Sequence, residues 1–81
     1  MKEEVLKEYG DYKVVMTDTE TYDAVTAQPG EIYIEIRNKI GKPVGETIVM
    51  SRTLHDYLKK YDKTKVLEEF ADFLYNKYVK K

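Results

Sequence analysis

Glu31-Ile32-Tyr33-Ile34-Glu35-Ile36-Arg37-Asn38-Lys39-Ile40 carries the clearest periodicity in the chain. Ile32, Ile34, Ile36 and Ile40 alternate with Glu31, Tyr33, Glu35 and Arg37. A period of two puts each set on its own side of a pleated strand, so the isoleucines predict a buried face and the others a wet one. Gly41-Lys42-Pro43 supplies turn residues, and Val44 to Met50 predicts the return strand. A two-residue loop at 41–42 would set Ile36 opposite Thr47. A three-residue loop sets it opposite Ile48 and keeps Ile48 and Met50 on the core face. The second register is expected, because a slip of one residue turns the whole apolar set outward.

Working outward, Tyr12, Val14 and Met16 alternate with Lys13, Val15 and Thr17, which predicts another strand. Upstream of it, residues 2–9 read as a short helix. Val5, Leu6 and Tyr9 share a helical face, Glu3 and Glu4 complement the N-terminal end of the dipole, and Gly10 stops the helix as a C-terminal cap would. Downstream, Ser51 or Thr53 caps a helix whose Leu54, Tyr57, Leu58 and Tyr61 follow the i, i+3, i+4, i+7 template. Asp62 or Thr64 caps a last helix with Val66, Leu67, Phe70, Ala71, Phe73, Leu74 and Tyr78 on one broad face. Lys65, Glu68, Glu69, Asp72 and Asn76 cluster opposite, and Lys77, Lys80 and Lys81 sit where the dipole favours cations. The expected order is α-β-β-β-α-α: an α+β fold, a three-stranded antiparallel sheet with helices packed on one face.

Eighty-one residues allow a single domain over 1–81. There is no cysteine, hence no disulfide framework and no zinc–thiolate site. No apolar run approaches the ~18 residues of a membrane span, and Lys2-Glu3-Glu4 leaves no secretory apolar segment at the start. A cytoplasmic chain is the expectation. Lysine outnumbers arginine twelve to two and tyrosine occurs eight times, a bias that fits AT-rich coding DNA such as that of a low-GC bacterium or its mobile elements. Residues 1–35 hold nine acids against three lysines, and residues 36–81 hold eleven bases against six acids. A net charge of −1 so arranged makes a poor nonspecific nucleic-acid binder but a bipolar surface that steers a charged partner.

Residues 19–30 fit no regular element. Gln28-Pro29-Gly30-Glu31 has the composition of a type II turn, and the rest reads as a loop or a bulged continuation of the first strand. Long loops inside small domains are often functional. Asp18-Thr19-Glu20-Thr21-Tyr22-Asp23 spaces three carboxylates as a calcium loop begins, but lacks the glycine and the twelfth-position glutamate. Gly41-Lys42-Pro43-Val44-Gly45-Glu46-Thr47 has the ingredients of a phosphate loop in the wrong order. His55, the sole histidine, falls opposite the apolar stripe of its helix, an exposed position with Ser51 as its one helically spaced hydroxyl. Asp56 points elsewhere and cannot orient the ring as a triad requires. No catalytic residue, metal or cofactor is expected. Tyr33 as a base-stacking platform is opposed by Glu31 and Glu35, which repel phosphate.

What remains is a surface. The outer sheet face would carry Val15, Tyr33 and Val49 beside Lys13, Glu31, Glu35, Arg37 and Thr47, a medium apolar centre with a charged rim, as protein interfaces are built. With the Gly10-Asp11-Tyr12-Lys13-Val14 lead-in to the first strand, the central hairpin and the paired helices, the chain resembles in layout the anti-CRISPR inhibitors among small phage and prophage accessory proteins. That resemblance implies a non-enzymatic, mobile-element-encoded inhibitor or modulator of a host defence protein. Known inhibitors of this layout are strongly acidic and compete with DNA for a nuclease groove. In this nearly neutral chain the 18–35 segment is the part acidic enough to do the same. The expected contacts to a basic protein surface are Asp18, Glu20, Tyr22, Asp23, Glu31, Tyr33 and Glu35. The alternative is a structural or regulatory homodimer, antitoxin-like or a phage-assembly component, pairing through a sheet edge or the last helix.

Overall fold

The computed structural model describes residues 2–18, 22–23, 28–29, 31–58, 60 and 63–80, with the side chains of 22–23, 28–29 and 63–64 left aside. The fold is α+β, with four strands in the main sheet rather than three. The strands are β1 (Lys2–Tyr9), β2 (Tyr12–Asp18), β3 (Tyr22–Asp23), β4 (Gln28–Pro29), β5 (Ile32–Arg37) and β6 (Pro43–Met50). Two helices follow, α1 (Arg52–Leu58) and α2 (Lys63–Tyr75), and α2 runs on into a π-helical segment, Asn76–Lys80. The main sheet has the antiparallel order β1-β2-β5-β6, and β3 and β4 form a separate two-stranded ladder.

The first correction concerns residues 2–9, which form a strand and not a helix. Gly10, at φ +60°, is part of a two-residue turn that brings Tyr9 opposite Tyr12. Glu, Lys and Leu favour a helix, but eight residues are too few for one to persist without packing. Pairing with β2 satisfies their backbone instead. The shift in pairing between Val5 and Lys7 marks a bulge at Leu6. The helical spacing of Val5, Leu6 and Tyr9 is therefore coincidental: Val5 faces outward, while Leu6 and Tyr9 pack against the core.

Val14, Met16, Ile32, Ile34, Ile36 and Met50 form the buried face, closed by Leu67, Ala71 and Leu74 of α2. The alternation at 31–40 thus holds through Ile36 but ends at Arg37. Asn38 stops the strand, its side-chain Oδ1 accepting from the backbone N–H of Ile40 at 3.1 Å and of Lys42 at 3.0 Å. Ile40 lies at the hairpin tip, 75% exposed, and not in the core. Ile36 pairs with Val44, not Ile48. Ile48 stands opposite Ile34 and Met50 opposite Ile32, because Gly45-Glu46-Thr47 bulge out against the single residue Glu35. Two extra residues preserve the parity, so Ile48 and Met50 keep the core side as expected. Gly45, at φ +76°, makes the bulge, and Tyr78 of the π-helical segment packs where a Cβ would stand.

The two helices depart from their apolar stripes in different degrees. Ser51 caps α1, its Oγ accepting from the Leu54 N–H at 3.1 Å. The roll of α1 is set by an ion pair between Arg52 and Asp18 at the end of β2. That pair turns Arg52 to the sheet, and with it His55 and Leu58, three and six residues on. His55 is consequently buried, at 3% exposure, and Leu54 and Tyr57 are about half exposed. Leu54 and Tyr57 of the expected stripe thus turn outward, while Leu58 stays against the core. On α2 the broad face is kept except at Phe73, which is exposed. Asp72, expected on the wet side, accepts from Lys7 Nζ at 2.8 Å and from the Tyr9 hydroxyl, while the Tyr9 ring stacks on Tyr75 at 4.2 Å. Helix and edge strand are tied together there. Glu20, Gly30, Tyr61 and Asp62 lie outside the described residues, as do the side chain of Thr64 and most of the 19–30 segment.

Candidate functional site: the outer face of the sheet

Strand alternation puts Glu3 and Val5 of β1, Lys13, Val15 and Thr17 of β2, Tyr33, Glu35 and Arg37 of β5, and Val49 of β6 on the face away from the helices. The pairing sets them in rows: Glu3, Thr17, Tyr33 and Val49 in one, and Val5, Val15 and Glu35 in the next. Lys13 and Arg37 stand opposite one another beyond these.

Arg37 organises the face. Its Nε donates to Glu35 Oε1 at 2.8 Å, and its two terminal nitrogens donate to the two oxygens of Glu3 at 2.9 and 3.2 Å. The latter is a bidentate fork, the geometry that suits guanidinium to carboxylate. To reach Glu3 from its own row, the Arg37 arm must cross the row holding Val15. Val15 accordingly is 1% exposed although it lies outside the main core. A valine that alternation alone would leave half wet is roofed by a charged side chain. The Arg37 guanidinium, in return, holds the Glu3 carboxyl below the usual carboxylate range, and the two carboxylates raise the affinity of Arg37 for its proton further still.

Beside the Arg37 bridge lies an open groove of about 450 Å³. Thr17 and Thr47 contribute hydroxyls to it, Tyr33 and Val49 apolar surface, and Glu3, Glu35 and Arg37 the charges. The Tyr33 hydroxyl donates to Glu31 Oε2 at 3.0 Å, and the neighbouring carboxylate raises the phenol's pKa. A second hollow of about 230 Å³ sits at the far end of the sheet between the β1–β2 turn and Asn38-Lys39. Its charges are mixed, Glu8 and Asp11 against Lys13 and Lys39, and favour no one ligand.

Of the residues expected to make contacts, Tyr33 and Glu35 line this groove, and Glu31 is tied to it as acceptor of the Tyr33 hydroxyl. Asp18 does not join them. It shares the helix-side face with Ile32, its pairing partner on β5, and its carboxylate is engaged by Arg52. Tyr22 and Asp23 lie in β3, paired to Pro29 and Gln28, with side chains outside the description, as is Glu20. Two groove residues escaped the sequence reading, Thr17 and Glu3. Glu3 was lost with the misread helix; the available signal was Gly10-Asp11, a two-residue connection of hairpin type directly before a strand.

His55 Nδ1 lies 3.4 Å from Asp56 Oδ1, and Nε2 has no hydrogen-bond partner among the described residues. Among those residues no group of three or more His, Cys, Asp or Glu side chains is placed to hold a metal ion, and no helix is long and apolar enough to cross a membrane. Searches for related proteins matched no protein family, no curated protein and no solved structure to this chain.

Proposed function

We propose that this chain is a non-enzymatic protein-binding module whose interface is the outer face of the sheet, a mobile-element-encoded inhibitor or modulator of a host protein. The observation that carries this reading is the pre-ordered face itself. Arg37 is locked between Glu35 and Glu3 over a buried Val15, beside exposed Val49 and Val5 and the ring of Tyr33. Side chains already fixed lose little entropy on docking, and a tyrosine and an arginine amid apolar surface form the usual composition of an interface centre. The mobile-element origin rests on lysine and tyrosine bias, because the helix-first, three-stranded layout behind the resemblance is not the one the chain adopts.

The test is capture of partners from the source organism's lysate on the tagged chain, with nuclease present, alongside Val49→Asp and Tyr33→Ala variants. One stoichiometric protein retained by the parent chain and lost by both variants is the expected result. A partner held equally by all three would remove the outer face from the interface. A second reading, a structural or regulatory homodimer, draws on the two edge strands of the sheet, β1 and β6, eight residues each. The bulge at Leu6 and the lysines on β1 discourage edge pairing, and a melting temperature independent of protein concentration would exclude it.

A further inference from the structure

Resting on the binding-face reading, we propose that the groove beside Arg37 receives a basic side chain, arginine or lysine, from the protein partner. The polar inventory of the groove is lopsided. Two carboxylates, Glu3 and Glu35, face one guanidinium, which leaves an excess negative charge in the lining. Three of the Arg37 donors are already committed to those carboxylates. The proton of Tyr33 is committed to Glu31, so toward the groove its oxygen is an acceptor. Glu35 Oε2 accepts no hydrogen bond among the described residues, and the Glu35 side chain is 19% exposed, so its charge is screened less than that of a fully solvated group.

Each class of occupant meets this inventory differently. A carboxylate or phosphate would be repelled. An apolar side chain would cover Glu35 and strip it of water without replacing the lost hydrogen bonds. A cation with several donors satisfies the acceptors and the charge together, while Val49 and the Tyr33 ring flank its aliphatic stem. A second copy docked groove to groove would set Glu3 and Glu35 against their own copies.

The experiment uses the full chain, isotope-labelled, titrated with the acetylated, amidated tripeptide Gly-Arg-Gly and its lysine, citrulline and glutamate counterparts while backbone amide shifts are followed. Citrulline keeps the shape of arginine and removes its charge. Saturable shifts at Thr17, Tyr33, Glu35, Thr47 and Val49 are expected for the arginine and lysine peptides, with citrulline at least about fivefold weaker and glutamate inert, the scale of one partly exposed ion pair. Glu35→Gln keeps an oxygen for Arg37 Nε but loses the charge, and is expected to weaken the arginine peptide to the citrulline level. Citrulline binding as tightly as arginine, or shifts clustering elsewhere, would overturn the proposal. So would dilution-dependent shifts of the same amides without peptide, which would name a second copy as occupant. Capture of a partner that is lost on Val49→Asp yet indifferent to salt and to Glu35→Gln would discard the basic side chain and leave the binding face standing.

Discussion

Replacing Gly45 by alanine tests the bulge that sets the β5–β6 register. The residue sits at φ +76°, and an added Cβ would stand 2.3–2.6 Å from three ring carbons of Tyr78. Gly41, at φ +88°, has nothing among the described residues within 4 Å of its Cβ position, and so supplies an internal control with backbone strain and no clash. Left-handed backbone costs a non-glycine residue about 1–2 kcal/mol, and this is all that Gly41→Ala is expected to lose. Gly45→Ala adds the cost of displacing a packed ring, about 1–3 kcal/mol, for a total of about 2–5 kcal/mol. A domain of this size holds roughly 3–5 kcal/mol, so the variant is expected near or past the point of unfolding at room temperature. Urea unfolding followed by far-ultraviolet circular dichroism reads both variants, with the midpoint falling at constant slope. The decisive comparison is Gly45→Ala in a Tyr78→Ala background, where the added cost is expected to drop to that of Gly41→Ala. Equal losses for Gly45→Ala and Gly41→Ala in the parent chain would refute the reasoning, since the ring would then contribute nothing to the need for glycine.

Three further outcomes follow from the same geometry. His55→Leu removes a buried ring nitrogen that has no partner among the described residues and fills the site with apolar volume; a gain of about 1 kcal/mol is expected in thermal unfolding, against the loss that a needed imidazole would show. Asp72→Asn is expected to loosen α2 from β1 and to lower stability by about 1 kcal/mol near neutral pH, chiefly through the Tyr9 hydrogen bond. Asp72 is held below the usual carboxylate range by Lys7 and Tyr9, so its share is present above that range and fades as pH falls through the lowered folded value. Lys7 and Tyr9 are raised, Lys7 by Asp72 and Tyr9 by burial and then Asp72, so theirs is present below pH ~10 and fades as pH climbs through their raised values. Profiles of the parent and variant that stay equally far apart from low to high pH, instead of converging at both extremes, would contradict this. Arg37→Gln is expected to return the Glu3 carboxyl to its ordinary titration range and to expose Val15, read by side-chain carbon shifts against pH and by amide exchange at Val15. Unchanged titration would show that the fork does not persist in solution.

The sequence by itself determined the parts whose signal is local and repeated. Alternation over Ile32–Ile36 and over Tyr12–Met16 placed the two central strands and their buried face, because period-two patterning in a half-buried sheet admits no other arrangement. The Ser51 cap and the broad stripe of α2 were legible for the same reason, and so were Tyr33 and Glu35 on the outer face. Tertiary structure decided whatever depended on a partner distant in the chain. Residues 2–9 carry helix formers at helical spacing, and only the edge of β2, reached through Gly10-Asp11, made them a strand. Once β1 was in place, Glu3 could meet Arg37 across thirty-four positions and roof Val15. The stripe of Leu54, Tyr57 and Leu58 was a sound amphipathic pattern, yet the ion pair of Arg52 with Asp18, also thirty-four positions apart, rolled α1 and buried His55 instead. A periodic pattern states which residues share a face; which way that face turns is set by contacts with distant parts of the chain, and those have no local signature.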